Sequence, residues 1–207
     1  MHKLMEKKLK VLAAGCIHGD TTLVQKLVNK AKRENVDVIL LCGDLTIEQR
    51  ETKNIIKPFK DIGKPVLFIT GNHDGLVLGD FLASYYGVKH LHGNYAVYNN
   101  VGIFGSGLAN IGLDAMTDDE FFDTLDKGHS KIKDLSKKIM ITHVHPAKTK
   151  MEAVTGFPGS YGIRKAIDKF QPDFVFCSHL HELSGFEEEI GKTRLVNVSR
   201  TGKIIEI

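Results

Sequence analysis

The chain has 207 residues, 42% hydrophobic and 26% charged, a balance that suits one globular domain spanning 1–207 with a substantial core. A formal charge of +3 is too small and too dispersed for a nucleic-acid footprint, and no apolar run is long enough to span a membrane. Three cysteines cannot all pair, which excludes a disulfide framework, and Met1–Glu6 has no signal-peptide core, so a reducing, cytoplasmic setting is expected.

In chain order, the first strand, Val11 to Ala14, runs into Gly15-Cys16-Ile17-His18-Gly19-Asp20. Leu23, Val24, Leu27 and Val28 then recur at helical spacing, predicting a helix over Thr21–Glu34 with Asp20 as N-cap. A second strand, Val38 to Leu41, leads into Cys42-Gly43-Asp44. A helix is expected from near Gln49 toward Asp61, shortened or kinked by Pro58. The third strand, Val66 to Thr70, ends in Gly71-Asn72-His73-Asp74, and a short helix follows near Asp80–Tyr86.

Tyr95–Tyr98, Asn99-Asn100 and Val101–Phe104 carry the signature of an antiparallel hairpin. Asp118–Ser136 reads as a helix capped by Thr117, acidic early and lysine-rich late as the helix dipole prefers, with Gly128 a point of interruption. The strand at Lys138–Thr142 ends in His143-Val144-His145. A Gly/Pro loop then opens a helix over Tyr161–Phe170, where Ser160, Tyr161 and Arg164 read either as a plain helix start or as a phosphate contact. Phe174–Cys177 leads into Ser178-His179-Leu180-His181, and two more strands, Arg194–Val198 and Lys203–Ile207, close the chain.

Five short, β-rich runs without alternation read as buried strands, and each ends in a metal-liking residue. In an open α/β sheet the loops after strand C-termini converge on one edge, where ligands bind. Singly, Gly-Asp is a turn and a lone histidine a surface residue. Together, five of the ten histidines (His18, His73, His143, His179, His181) join a carboxylate and an amide at strand ends. That combination describes a two-metal hydrolase site. His2, His90, His92, His129 and His145 read as surface or structural.

The series Cys16-x-His18, Gly43-Asp44, Gly71-Asn72-His73-Asp74, His143 and Ser178-His179-Leu180-His181 resembles the calcineurin-like metallophosphoesterase superfamily, small single-domain phosphodiesterase type, over nearly the whole chain. The resemblance implies an α/β, four-layer αββα sandwich, two mixed sheets face to face with helices outside. It implies two divalent transition metal ions (Zn, Fe, Mn or Ni) bridged by Asp44 at roughly 3.5–4 Å. His18, His181 and whatever stands at position 16 would hold the first, and Asn72, His143 and His179 the second. A water or hydroxide between them would be the nucleophile. His73 would contact a phosphate oxygen or protonate the leaving alkoxide, oriented by Glu48 or Asp74.

Cys16 departs from the family's usual Asp. A thiolate there still ligates and tilts the first site toward Zn or Fe(II); the alternative is a small buried residue and a weakened site. If Cys16 ligates, the site is expected to be sensitive to peroxide, because exposed thiolates oxidise most readily. Asp20, already a cap, is a poor substitute, and Ser178, where relatives often carry Gly, is expected to matter little. The resulting expectation is hydrolysis of a small phosphodiester, with a monoesterase or nucleotidase as runner-up. A scaffold of the same fold and a nuclease follow, the latter unsupported by the charge. Substrate choice is expected in the loops 75–79, 105–118 and 145–161, and a homo-oligomer is left open.

Overall fold

The computed structural model describes residues 8–112 and 114–207; the reading of Met1–Glu6 lies outside them. Two mixed sheets form the centre. The first is ordered β11-β1-β2-β3-β4, from Lys203–Glu206, Lys10–Ala14, Val38–Cys42, Val66–Ile69 and Lys89–His90. The second is ordered β5-β6-β7-β8-β10-β9, from Tyr95–Tyr98, Val101–Ser106, Lys137–Thr142, Phe174–Cys177, Thr193–Asn197 and Glu187–Ile190. Strands β1 to β4 run parallel, as do β6, β7, β8 and β10, while β11, β5 and β9 pair antiparallel at the margins.

Side-chain alternation along a strand explains the layers. Val11, Ala13, Leu40, Ile139, Ile141 and Phe176 face the seam between the sheets. Their neighbours Leu12, Ala14, Ile39 and Leu41 turn outward onto helices α1 (Thr21–Arg33) and α3 (Leu76–Tyr86). On the far side Met140, Val175 and Cys177 pack on α4 (Asp118–His129) and α6 (Tyr161–Phe170). Strands covered on both faces have no use for polar alternation, which is why they read as continuous apolar runs. Truncating a central side chain such as Leu40, fully buried at this seam, should cost about 2–5 kcal/mol.

Asp20 caps α1 by accepting from the Leu23 N–H at 2.9 Å, and Thr117 forms a capping box with Glu120 on α4. The β5–β6 hairpin turns through Asn99 and Asn100, both at positive φ, and β5 is the edge of the second sheet. The helix expected from Gln49 is a correction: only Lys57–Lys60 (α2) is helical. Glu48, Gln49, Glu51 and Asn54 all adopt positive φ, and the Gln49 N–H is drawn to the His73 carbonyl at 2.8 Å. The segment therefore folds over the metal-liking loop instead of coiling.

Two other boundaries differ from expectation, and two elements were not expected. Helix α3 begins at Leu76, a turn earlier than expected. Helix α4 stops at His129, short of Ser136; Gly128 lies inside it, where an added Cβ would meet the Asn94 oxygen at 2.7 Å. The short helix α5 (Lys150–Thr155) and strand β9, whose sequence is Glu-Glu-Glu-Ile, had no local signal. Strand β9 is held by pairing with β10 and by Glu187 between Arg194 and Lys203.

Candidate metal centre

All five expected loops leave the C-terminal ends of parallel strands on the same edge of the two sheets: β1, β2 and β3 from the first, β7 and β8 from the second. They are tied together before any side chain is considered. The Cys16 N–H donates to the Gly43 oxygen, His18 N–H to the Asp44 oxygen, and Ser178 N–H to the His143 oxygen, each at 2.9 Å. Cys16, His18, Asp44 and His179 have positive φ, an unfavourable backbone for residues with a Cβ. Such strain persists where the surroundings over-determine it, commonly at functional sites.

His143 is the best-fixed of the donors. It is fully buried, and its Nδ1 lies 3.0 Å from the Cys42 carbonyl and 2.9 Å from Ser178 Oγ, whose own hydroxyl donates to that carbonyl. Nδ1 therefore carries the proton, and Nε2 presents a lone pair. That lone pair faces Asn72 Oδ1 at 3.1 Å, Asp44 Oδ2 at 3.2 Å and His179 Nδ1 at 3.3 Å. The two oxygens are acceptors facing an acceptor, a clash that a proton or a cation at Nε2 relieves. Gly43 permits the packing: it has φ +86°, and a Cβ there would sit 2.6 Å from His143 Nδ1.

The other half of the ring gathers around His18. Its Nε2 lies 3.1 Å from His181 Nε2 and 3.6 Å from Asp44 Oδ2, and its ring sits edge-on to His73 with centroids 5.0 Å apart. Donor atoms of Cys16, His18 and His181 converge on one point, and those of Cys16, Asp44 and His143 on another. A third set joins His18, Asp44 and His73, so Asp44, whose Oδ2 is 3.6 Å from His18 Nε2 and 3.2 Å from His143 Nε2, stands between the two sides. Its Oδ1 also accepts from the His73 N–H at 3.0 Å.

The electrostatics carry the same signature. Burial works to raise Asp44, yet His143, the His73 N–H and His18 hold its carboxyl well below the usual range. Burial would lower His143, but Asp44 outweighs it and keeps its pKa raised. His179 is pushed down to about 4 by burial and then by His143. Burial likewise lowers His18 and His181. A centre with an ionised carboxylate, imidazoles held neutral at His18, His179 and His181, and an amide oxygen suits a divalent transition metal, and at His143 proton and metal compete for the same Nε2.

Cys16 has no exposed surface, so the exposure that peroxide sensitivity requires is missing. Burial, then Asp44, raises its thiol to about 12. Against that, the His179 N–H points at Sγ from 3.1 Å and Ser199 Oγ from 3.7 Å, both donors that favour sulfur as an acceptor. Neither expected partner of His73 reaches its ring among the described residues. Asp74 is buried and spent on Gly71, Leu45 and Thr46 N–H groups and the Thr46 hydroxyl, all within 3.1 Å, while Glu48 is exposed. Asp74 is the staple of the loop that carries Asn72 and His73.

Ser178, expected to matter little, closes the hydrogen-bond triangle behind His143. Its place also explains Gly15, where a Cβ would stand 2.7 Å from Ser178 Oγ. Ser199 was missed altogether, because nothing local marks a serine that reaches a cysteine 183 residues earlier. At the start of α6, Ser160 caps Ile163 and donates to Asp118, which also takes the Gly162 N–H. The Asp118 carboxylate already fills the place a phosphate would take, and the plain helix start holds.

Comparison with known proteins bears on the fold and the family. No curated protein sequence matches the chain. Among solved structures, TT1561 of Thermus thermophilus superposes with TM-score 0.74 at 17% identity, covering 96% of this chain and 98% of that one. A phosphopantetheinyl hydrolase from Mycobacterium tuberculosis gives 0.64 at 12%, covering 94% and 90%. A novel archaeal phosphodiesterase gives 0.55 at 15%, covering 96% and 99%. At these identities the likeness establishes the fold. The family pattern described as calcineurin-like phosphoesterase, a binuclear metal-dependent family, matches residues 9–183, a span that takes in every strand end of the donor ring. The chain belongs to the calcineurin-like phosphoesterase family.

Proposed function

We propose that this protein is a cytoplasmic, single-domain, binuclear metal-dependent phosphoesterase that hydrolyses a small phosphodiester. The observation that carries the reading is the face-off at His143: an Nε2 lone pair within 3.3 Å of Asn72 Oδ1, Asp44 Oδ2 and His179 Nδ1, with Nδ1–H committed behind it. In this reading Asn72, His143 and His179 hold one ion, Cys16, His18 and His181 hold the other, and Asp44 is shared. Sulfur at the Cys16 position favours Zn or Fe(II) there over Mg or Mn. Bound divalent ions supply Lewis acidity toward phosphoryl oxygens and lower the pKa of water to near neutral.

The remaining work falls to the chain itself. Asp44, its Oδ1 anchored by the His73 N–H, stays ionised at neutral pH and turns Oδ2 toward both His18 and His143. His73 is half-buried, lies edge-on to His18, and is not part of the His143 cluster. Its ring is free to donate a proton to the leaving oxygen, a contribution of typically 10²–10⁴-fold. No helix among the described residues is long and apolar enough to cross a membrane.

Elemental analysis of purified protein, with turnover of bis(p-nitrophenyl) phosphate and p-nitrophenyl phosphate, tests the proposal. Two ions per chain and diesterase activity are expected, with activity lost in His73→Asn while metal is kept. Preference for the monoester would replace diester by monoester chemistry. Absence of both metal and turnover would leave a scaffold.

A further inference from the structure

Beyond Cys16, the donor ring continues into a basic corner. Ser199 forms a β-bridge with Gly15, and the next residue, Arg200, donates its N–H to the Gly15 oxygen at 2.8 Å. Arg200 has φ of 56°, and its Nη2 meets Asp20 Oδ2 at 3.1 Å; the other Asp20 oxygen caps α1. Asp20 follows His18 by two positions, and the Arg200 charge, after burial, is the next cause lowering His181. Arg200 therefore stands beside the first donor group, with its remaining guanidinium N–H groups unpartnered among the described residues.

From this corner a cavity of about 380 Å³ runs along α1, floored by Leu23 and Leu27 and edged by Lys26, Lys30 and Arg200 against the single carboxylate Asp20. Lys30 is committed: its ammonium donates to the Thr201 and Gly202 carbonyls at 3.2 and 2.8 Å, fixing the turn that presents Arg200. Lys26 has no ion-pair partner among the described residues. Helical rise places it about 9 Å along the axis from Asp20. Lys26, without an ion-pair partner among the described residues, and Arg200, which keeps spare N–H groups beyond its pair with Asp20, stand above an apolar floor and suit an elongated arm ending in an anion; Arg prefers the planar, forked geometry of carboxylate or phosphate.

We propose that this cavity is a second substrate subsite, taking an ester arm that carries a further anionic group, with Arg200 and Lys26 as the specificity-determining residues. The proposal rests on the phosphoesterase reading for the position of the reacting phosphate. Both cations are partly solvated, so their contribution is discrimination of about tenfold, weakened by salt.

The test is calorimetric binding to metal-loaded protein of ω-carboxyalkyl phosphonates, with chains of about three to seven carbons, against the matching alkyl phosphonates. Neither set is hydrolysed. Wild type should favour the carboxylated form by about tenfold at an optimal length, and Arg200→Gln and Lys26→Gln should each narrow that ratio. Equal affinities in wild type, a ratio kept in the double variant, or equal losses for both ligands would overturn the subsite. Turnover of bis(p-nitrophenyl) phosphate, followed in parallel, reports separately on the phosphoesterase reading: its absence in wild type overturns that reading, while the phosphonate ratio still decides the cavity.

Discussion

The two halves of the donor ring are built differently. Around His143, every group leaves a buried strand end, and its Nδ1 is pinned by a backbone carbonyl and a hydroxyl. Around His18, two donors sit four residues past their strand ends: His181 starts the short 3-10 turn His181–Leu183 and is exposed, and the His18 ring leans on His181, Asp44 and His73, all members of the site itself. Cys16 is buried but supplies a protonated thiol until something displaces the proton. The His143 half has its tautomer and orientation set in advance, whereas the His18 half must be ordered by what it binds. Preorganised ligands bind more tightly for the same chemistry.

The largest test removes what both halves share. Asp44→Asn should abolish stoichiometric binding of two ions and reduce diester turnover on the order of 10³-fold, read by elemental analysis and kinetics. Retention of both ions would mean that the halves do not meet at Asp44. Next, His181→Ala and His179→Ala should separate. Each should lose one ion, and a competitive chelator titration should find the ion left in His181→Ala to be the tighter one. Equal residual affinities would erase the contrast between preorganised and loop-built halves.

Smaller effects probe the supports. Ser178→Ala should weaken the His143-side ion by about 10–100-fold, because the imidazole loses one of its two rear partners. Ser199→Ala, acting over 3.7 Å on sulfur, should have less effect and only on the His18 side. The smallest effect is on stability of the metal-free protein. His179 and His92 are lowered from 6.5 to about 4, so the unfolded chain binds protons that the folded one refuses. Their contribution is complete above pH 6.5 and is lost as pH falls toward 4, with raised His143 opposing in part. A fall in Tm on the order of 5 °C across that window is expected by calorimetry; a flat profile would refute the assigned protonation states.

Much of the donor ring was legible because each member sits directly after an apolar run. Gly-Asp and Gly-Asn-His-Asp are local patterns, and strand ends on one sheet edge must converge. Elements whose shape depends on distant partners were not legible. The 48–56 segment carries ordinary helix formers, yet it is held over His73 by a hydrogen bond to that loop. Strand β9 has the composition of a helix and becomes a strand because β10 offers an edge and Glu187 finds Arg194 and Lys203. Asp74, one of the two carboxylates offered as partners of His73, is turned elsewhere for a related reason: four donors from its own and the neighbouring loop claim it.

By itself, the sequence determined the layered α/β class, the order of the strand-end motifs and the identity of the metal-liking side chains. Those are written in local periodicity and in residue chemistry. Tertiary structure alone decided that Ser178 sets the His143 tautomer, that Ser199 and the His179 N–H reach Cys16, and that Arg200 and α1 line a basic cavity. Each of these joins segments far apart in the chain. Their encounter is fixed by how the two sheets pack, a property that no window of neighbouring residues contains.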